Sequence, residues 1–265
     1  MNQVVRNFVC LMCLATLAGC GALNFFGKKD EPTNPDATAD RLFKEAKDAL
    51  NSGDYARSIK LFENFESKYP YGAQAQQSIL DGAWANYKIA EYPIAVSGAE
   101  RFIKLYPTHQ NVDYAHYLKG LALFGDELGL FKFLANEDIS ERDPKARREA
   151  YGAFKELVEK YPNSGYTNDA RQRMQHLHNS LADYDVHVAR YYFNRGAYVA
   201  AVNRAQLALT TYPDAPATKD ALRLLSEGYA ALGQTQLAAD TNRVLARTHP
   251  SAVLPEAKKP WWKLW

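Results

Sequence analysis

"FESKYPYG", residues 65–72, closes one helical run and opens another. Proline lacks the N–H that a helix interior needs, and its ring pushes the preceding residue into an extended conformation, so Lys68-Tyr69-Pro70 reads as a helix end. The same ending recurs as "KLYP" at 104–107, "EKYP" at 159–162, "TTYP" at 210–213 and "THP" at 248–250. Five helices that stop with nearly the same letters point to a repeat.

Aligning the chain on Pro70, Pro107, Pro162, Pro213 and Pro250 exposes the rest of that repeat. Twelve residues before each proline stand Ser58, Ala95, Ala150, Ala201 and Ala238. Seventeen before, outside the third unit, stand Gly53, Ala90, Gly196 and Gly233, and two residues after these come Tyr55, Tyr92, Tyr198 and Thr235. Twenty-four before are Ala46, Ala83, Ala189 and Ser226, with Gly120 as the displaced counterpart in unit three. Small residues in phase are what two closely crossing helices need. A glycine after the first helix can turn the chain in the left-handed conformation. The pattern is that of tetratricopeptide repeats, two antiparallel helices in about 34 residues. Helices of about a dozen residues are marginal alone in water, so stacking must stabilise them.

The expected fold is therefore all-α: a tetratricopeptide solenoid of five helix-hairpin units, with an insertion in unit three and a long helix entering unit four. The Pro107–Pro162 interval is 55 residues rather than 37, with the excess falling around 125–143. The Pro162–Pro213 interval is 51, and Ala170, Met174, Leu177, Leu181, Tyr184 and Val188 keep a helical spacing through it. The reading is two blocks, residues 38–163 (units one to three) and 164–250 (units four and five).

The segments outside the repeats have their own chemistry. Arg6 followed by an apolar run from Phe8 to Leu17 has the length of a signal-peptide core and is too short to span a bilayer. It ends in Leu17-Ala18-Gly19-Cys20, which resembles the lipobox of bacterial lipoproteins. Residues 1–19 are expected to be a removed signal peptide, and Cys20 to carry N-palmitoyl and S-diacylglycerol chains. Several acyl chains anchor firmly because each buried methylene contributes about 0.8 kcal/mol. Gly21, rather than aspartate, follows the cysteine, which by the same resemblance points to the outer membrane. Cys20 would then be the only cysteine left, without a disulfide partner in the chain. Residues 20–37 read as a flexible tether. The tail, 251–265, combines lysines with Trp261, Trp262 and Trp265; it either touches a membrane surface or partner, or is disordered.

Composition excludes several functions. A net charge of +2 gives no electrostatic case for nucleic acid. The six histidines form no metal-ligand spacing, and neither a nucleophile elbow nor a phosphate loop is present. Catalysis, and with it any cofactor, is not expected.

The function is expected on the faces of the stack. The groove positions of such repeats are Phe43, Lys47 and Leu50 in unit one; Leu80, Trp84 and Tyr87 in unit two; and Tyr117, Leu121 and Phe124, beside Tyr114, in unit three. In units four and five they are Val186, Arg190, Phe193, Arg223, Glu227 and Ala230. The front of the groove is thus aromatic and the rear mixed and charged. An aromatic trough suits an extended peptide with apolar or aromatic anchors, whose carboxylate Lys47 and Lys88 could accept. The alternative is that neighbouring helices bury these rings.

"RFIKLYPTHQNVDYAHYLKGL" (101–121), "RDP" (142–144), "KYPNSGYTNDA" (160–170), "VARYYFNRGAYVAAVNR" (188–204) and "YPDAPATKD" (212–220) resemble the BamD (ComL) family of tetratricopeptide lipoproteins. These belong to the outer-membrane β-barrel assembly machine. The likeness spans residues 38–250 and the lipobox, and leaves the tail aside. It implies a lipid-anchored scaffold on the periplasmic face of the outer membrane. The barrel subunit BamA would bind through the C-terminal repeats, with Arg190, Arg195 and Arg204 as docking residues and Arg204 matching the family's basic residue in "VNR". BamC and BamE would be further partners, and the N-terminal groove would receive the C-terminal signal of unfolded barrel proteins. A pilotin-like lipoprotein that escorts a secretin shares the fold and remains the alternative.

Overall fold

A computed structural model describes residues 35–128 and 144–250. Within them ten α-helices follow one another: α1 (Pro35–Asn51), α2 (Tyr55–Lys68), α3 (Ala73–Lys88), α4 (Tyr92–Leu105), α5 (Val112–Leu128), α6 (Lys145–Lys160), α7 (Thr167–Asn194), α8 (Tyr198–Thr211), α9 (Thr218–Ala231) and α10 (Thr235–Thr248). Among the described residues there is no strand. Each helix packs against the next in sequence, and the first helices of adjoining hairpins also touch, α1 with α3, α3 with α5 and α7 with α9. That is the topology of five stacked hairpins. The expected signal peptide, Cys20, the expected tether up to residue 34, insertion residues 129–143 and the tail lie outside the described residues.

The recurring Tyr-Pro has one geometry throughout. Tyr69, Tyr106, Tyr161, Tyr212 and His249 each cap a second helix with φ between −135° and −129° and ψ between 58° and 71°. Each donates its N–H to the carbonyl four residues back. This is the conformation that a following proline enforces. The side chains then close the seams: the Tyr106 ring packs 5.5 Å from Phe102, and Tyr161 and Tyr212 pack against His116 and His178.

The other in-phase positions also have physical reasons. Gly53, Ala90, Gly196 and Gly233 all have positive φ, from 64° to 82°. The residue after each donates back to the carbonyl of a residue five positions earlier, as Asp54 does to Ala49 at 3.0 Å, closing the helix end. Ala90 adopts the left-handed turn despite its Cβ. The small residues twelve and twenty-four before the prolines are all buried. At Gly120 an added Cβ would stand 2.5 Å from the Phe154 ring. Burial of Phe62, Phe65, Phe102 and Phe154 along the stack contributes about 1.5–3 kcal/mol each relative to exposure.

Helix α7 has 28 residues, twice the length of α9. Its first half lies against α6: Thr167 Oγ1 donates to the Tyr161 carbonyl at 2.9 Å, and Arg147 donates to the Ser180 carbonyl and hydroxyl at 3.2 and 2.8 Å. Its second half joins α8 and α9 in a core that includes Val186, Ala189, Val202, Ala205 and Leu225.

Candidate functional site

The side chains that link the first helices form a continuous strip. It begins at Lys47 of α1, whose Nζ lies 2.8 Å from Asp81 Oδ2 on α3. Gln77 donates to the other Asp81 oxygen at 2.9 Å. On α3, Trp84 and Tyr87 stack with centroids 5.3 Å apart. Tyr114 and Tyr117 of α5 come next. Tyr166, immediately before α7, packs 5.4 Å from Tyr114 and stacks on Tyr117 at 4.7 Å. Tyr117 Oη donates to Asp169 Oδ2 at 2.7 Å, and Arg173 Nε donates to the same oxygen at 2.5 Å. The Arg173 guanidinium lies 5.2 Å from the Phe124 ring, which packs edge-on against His176.

Trp84, Tyr87, Tyr114, Tyr117 and Phe124 are all half-buried. They rest on buried Leu80, Leu118, Leu121 and Phe154 while keeping part of each ring in solvent. Such surfaces are held by the core yet open to a ligand. Burial pushes the Tyr114 hydroxyl well above its ordinary range, with Tyr166, Asp81, Tyr117 and Tyr87 adding to it. Burial and the hydrogen bond to Asp169 push Tyr117 up to about 12. Both phenols are therefore neutral hydrogen-bonding groups at any physiological pH. Burial acts to raise Asp169, but the bonds from Arg173 and Tyr117 outweigh it and hold the carboxyl below its usual value.

The structure corrects part of the expected groove. Phe43 is half-buried like the rings of α3 and α5, and packs 5.5 and 6.3 Å from Phe65 and Phe62 of its own hairpin. Leu80, Leu121 and Val186 are buried core residues, because the first helices lean against one another and close over those positions. Lys47, offered to a peptide carboxylate by the sequence reading, is already paired with Asp81. Lys88 is exposed, with its ammonium 5.4 Å from the Trp84 ring and 5.7 Å from Tyr55. Tyr166, Asp169, Arg173 and His176 join the strip without having been singled out from the sequence. Asp169, Arg173 and His176 share one face of α7 at i, i+4 and i+7; that spacing could have revealed them had the first turns of α7 been read as part of the groove.

The three arginines at the rear differ in availability. Arg190 is exposed and lies 3.6 Å from Asp220, in a shallow pocket of about 440 Å³ between α7 and α9 with Phe193, Arg223 and Glu227. Arg195 is exposed and sits 4.7 Å over the Tyr191 ring. Arg204 is different: its guanidinium lies 2.9 Å from Asp185, whose side chain is only 2% exposed, and 5.6 Å from the Tyr184 ring. Burial pushes the Asp185 carboxyl up, against the pull of Arg204 and Arg148. Arg204 braces the junction between α7 and α8 before it can serve any partner.

Among the described residues no group of side chains could hold a metal ion, and no helix is long and apolar enough to cross a membrane. Residues 35–245 match a family model described as an outer membrane lipoprotein. The outer membrane protein assembly factor BamD of Neisseria meningitidis serogroup A is 46% identical over the whole of both chains. That of Neisseria gonorrhoeae is 45% identical over 89% of this chain and 91% of its own. That of Vibrio cholerae is 38% identical over 87% of this chain and 96% of its own.

Proposed function

Since the chain belongs to the outer membrane lipoprotein family of BamD assembly factors, we propose that it is the lipid-anchored scaffold of an outer-membrane β-barrel assembly machine and receives the C-terminal segments of unfolded barrel proteins in its front groove. The anchor is Cys20, bearing N-palmitoyl and S-diacylglycerol chains, and the repeats face the periplasm. Residues 38–163 act as the receiving block, and residues 164–250 as the block that docks BamA, with BamC and BamE as further subunits.

The observation that carries this reading is the strip of half-buried rings from Trp84 through Tyr87, Tyr114 and Tyr117 to Phe124. An extended peptide with alternating apolar side chains buries one row of them against such rings, while phenolic hydroxyls and the held charges of Asp81, Asp169 and Arg173 meet its backbone. A terminal aromatic residue gains edge or stacking contacts of about 0.5–1.5 kcal/mol beyond its buried area. The terminal carboxylate is met by Lys88, whose ammonium stands over Trp84 in solvent. A carboxylate at Lys47 would have to displace Asp81.

The test is binding of a fluorescent peptide that ends in phenylalanine, by anisotropy, to the wild type and to Trp84→Ala/Tyr87→Ala. Affinity falls tenfold or more in the variant and when the peptide is amidated at its end. Equal affinity for all three, with the variant still folded by circular dichroism, removes the groove from substrate reception.

A further inference from the structure

The stack carries a second groove, between α2 and α4 and over α3, with a volume of about 720 Å³. Its floor is the face of α3 that holds Ile79 and Gly82, not the face of Trp84 and Tyr87. Side chains end at or before Cβ at Gly82, Ala83 and Gly98, and a Cβ added at Gly82 would meet nothing nearer than Phe62 at 3.9 Å. Ile59 of α2 and Ile94 of α4 form the walls. Leu105 stands at one mouth beside Pro70. It lies two residues before its repeat proline, where the other units hold Lys68, Lys160, Thr211 and Thr248. Ile94 and Leu105 are 53% and 54% exposed, and Tyr71, next to Pro70, is 89% exposed. Open apolar side chains gathered on one groove mark an interaction site.

Charge runs along this groove in a definite order. Lys68 and Lys104 stand in the last turns of α2 and α4, at the mouth. Further in are Glu63 and Glu66, the second paired with Arg101, and burial pushes the Glu66 carboxyl up despite that pair. An added cation there favours the charged carboxylate. Beyond them lie Ile59 and Ile94. The segment before α1, read back from Pro35, has the matching order: Glu31 and Asp30, then Lys29 and Lys28, then Phe26 and Phe25. The lengths agree as well. Leu105 to Ile94 is about 16 Å of helix, and Glu31 to Phe26 in extended form is about 17 Å. Helix α1 starts at the same end of its unit: Asp40 accepts a hydrogen bond from Gln74, in the first turn of α3, at 2.7 Å, and Phe43 packs on Phe65 near the end of α2. From Pro35 back to Glu31 the chain spans about 13 Å, which carries it past the Tyr69–Gly72 turn.

We infer that residues 25–31 of this chain dock in the groove between α2 and α4, with Phe25 and Phe26 on its floor, Lys28 and Lys29 at Glu63 and Glu66, and Asp30 and Glu31 at Lys68 and Lys104. The segment is joined to α1, so the groove meets it at high effective concentration and individually weak contacts suffice. The tail has a similar order in Glu256, Lys258, Lys259 and Trp261. Glu256, however, reaches only about 20 Å from Pro250, whereas three units, each at least one helix spacing of about 8–10 Å, separate unit five from the groove. Docking has a consequence for the anchor. Phe25 stands within about 18 Å of Cys20, so the acylated cysteine holds α2 and α4, and with them the receiving block, close to the membrane surface. That consequence rests on the proposed function; the docking itself does not.

The experiment uses the full acylated chain in outer-membrane vesicles, with a photo-crosslinking phenylalanine analogue in place of Ile94. The control places it at Leu237, the same repeat position in unit five and also exposed. The expected product from position 94 has the mass of one chain, and mass spectrometry finds position 94 joined to the peptide that holds Phe25 and Phe26. Its yield is at least tenfold lower from position 237 and falls tenfold in Phe25→Ser/Phe26→Ser, which leaves the repeats untouched. Glu63→Lys lowers it severalfold, and Lys28→Glu/Lys29→Glu added to Glu63→Lys restores it. Adducts only to residues 251–265, to lipid, to a second copy or to another protein overturn the docking, as does a yield that Phe25→Ser/Phe26→Ser leaves unchanged. The peptide-binding measurement on Trp84→Ala/Tyr87→Ala separates the two readings. A tether adduct beside unaltered peptide affinity keeps the docking and removes the front groove from substrate reception. Peptide binding that depends on those rings, without a tether adduct, keeps reception and refutes the docking.

Discussion

Tyr117 and Tyr166 stack with centroids 4.7 Å apart and planes 17° from parallel. The contact ties the third hairpin's first helix to the start of α7, and it makes one surface of rings that are more than forty residues apart in sequence. Tyr166 keeps 36% of its surface exposed, so its outer face is available to a ligand. Tyr166→Ala is expected to weaken binding of a phenylalanine-ended peptide by about 1–2 kcal/mol, five- to thirtyfold, through the lost stacking and apolar area. Titration by anisotropy reads the change, and an unaltered Kd in a folded variant places the peptide elsewhere.

Ala90 is the one non-glycine among the described residues with positive φ, 64°. Its counterparts Gly53, Gly196 and Gly233 show what the turn prefers. Left-handed backbone costs a residue with a Cβ roughly 1–2 kcal/mol, partly offset by the greater freedom of glycine in the unfolded chain. Ala90→Gly should therefore stabilise the protein by about 0.5–1 kcal/mol, seen as a higher urea midpoint with an unchanged slope. Gly53→Ala should move the midpoint the other way.

Asp185 and Arg204 form a pair whose removal is asymmetric. Deleting the guanidinium leaves a carboxylate that is 2% exposed, whereas Arg204 itself keeps 27% of its side chain in solvent. Arg204→Ala is expected to cost up to about 3 kcal/mol, and Asp185→Asn less. The double variant Arg204→Ala/Asp185→Asn should be more stable than Arg204→Ala alone, because the buried charge is gone. Denaturant melts of the four proteins give the cycle. If Arg204→Ala melts like wild type, the brace contributes nothing. Any loss of barrel-subunit binding in Arg204 variants must be read against these melts, since weakened docking and a loosened junction would otherwise look alike.

Burial makes His116 harder to protonate than a free imidazole. It is 2% exposed, and burial lowers its pKa below the ordinary value despite Glu156 3.8 Å away. The unfolded chain then binds the proton more readily than the folded one. Stability associated with neutral His116 is complete above its unfolded pKa of about 6.5 and is lost as pH falls through and below that range. The fall in Tm between pH 7.5 and about 5.5 should be smaller in His116→Gln than in wild type. Equal falls would show that other groups set the acid sensitivity.

The repeat was legible in the sequence because its determinants are local. A proline ends a helix, a residue twelve positions before it must be small, and a glycine turns the chain whether or not the neighbouring unit is known. That reasoning found the five hairpins, the long helix from its 4-3-4 spacing, and the rings of α3 and α5. It placed Leu80, Leu121 and Val186 in the groove because repeat position alone does not tell how far adjoining first helices lean together. It missed Tyr166, Asp169 and Arg173 because their relation to Tyr117 exists only once α7 lies beside α5. Arg204 looked like a free charge for the same reason: the carboxylate that engages it, Asp185, is nineteen residues away along the chain and becomes its neighbour only when α8 folds back on α7. Short-range sterics therefore determined the hairpins from the sequence alone. Which rings stay open to solvent and which ions are already paired were decided by tertiary packing, because burial and charge pairing depend on what the rest of the chain brings alongside.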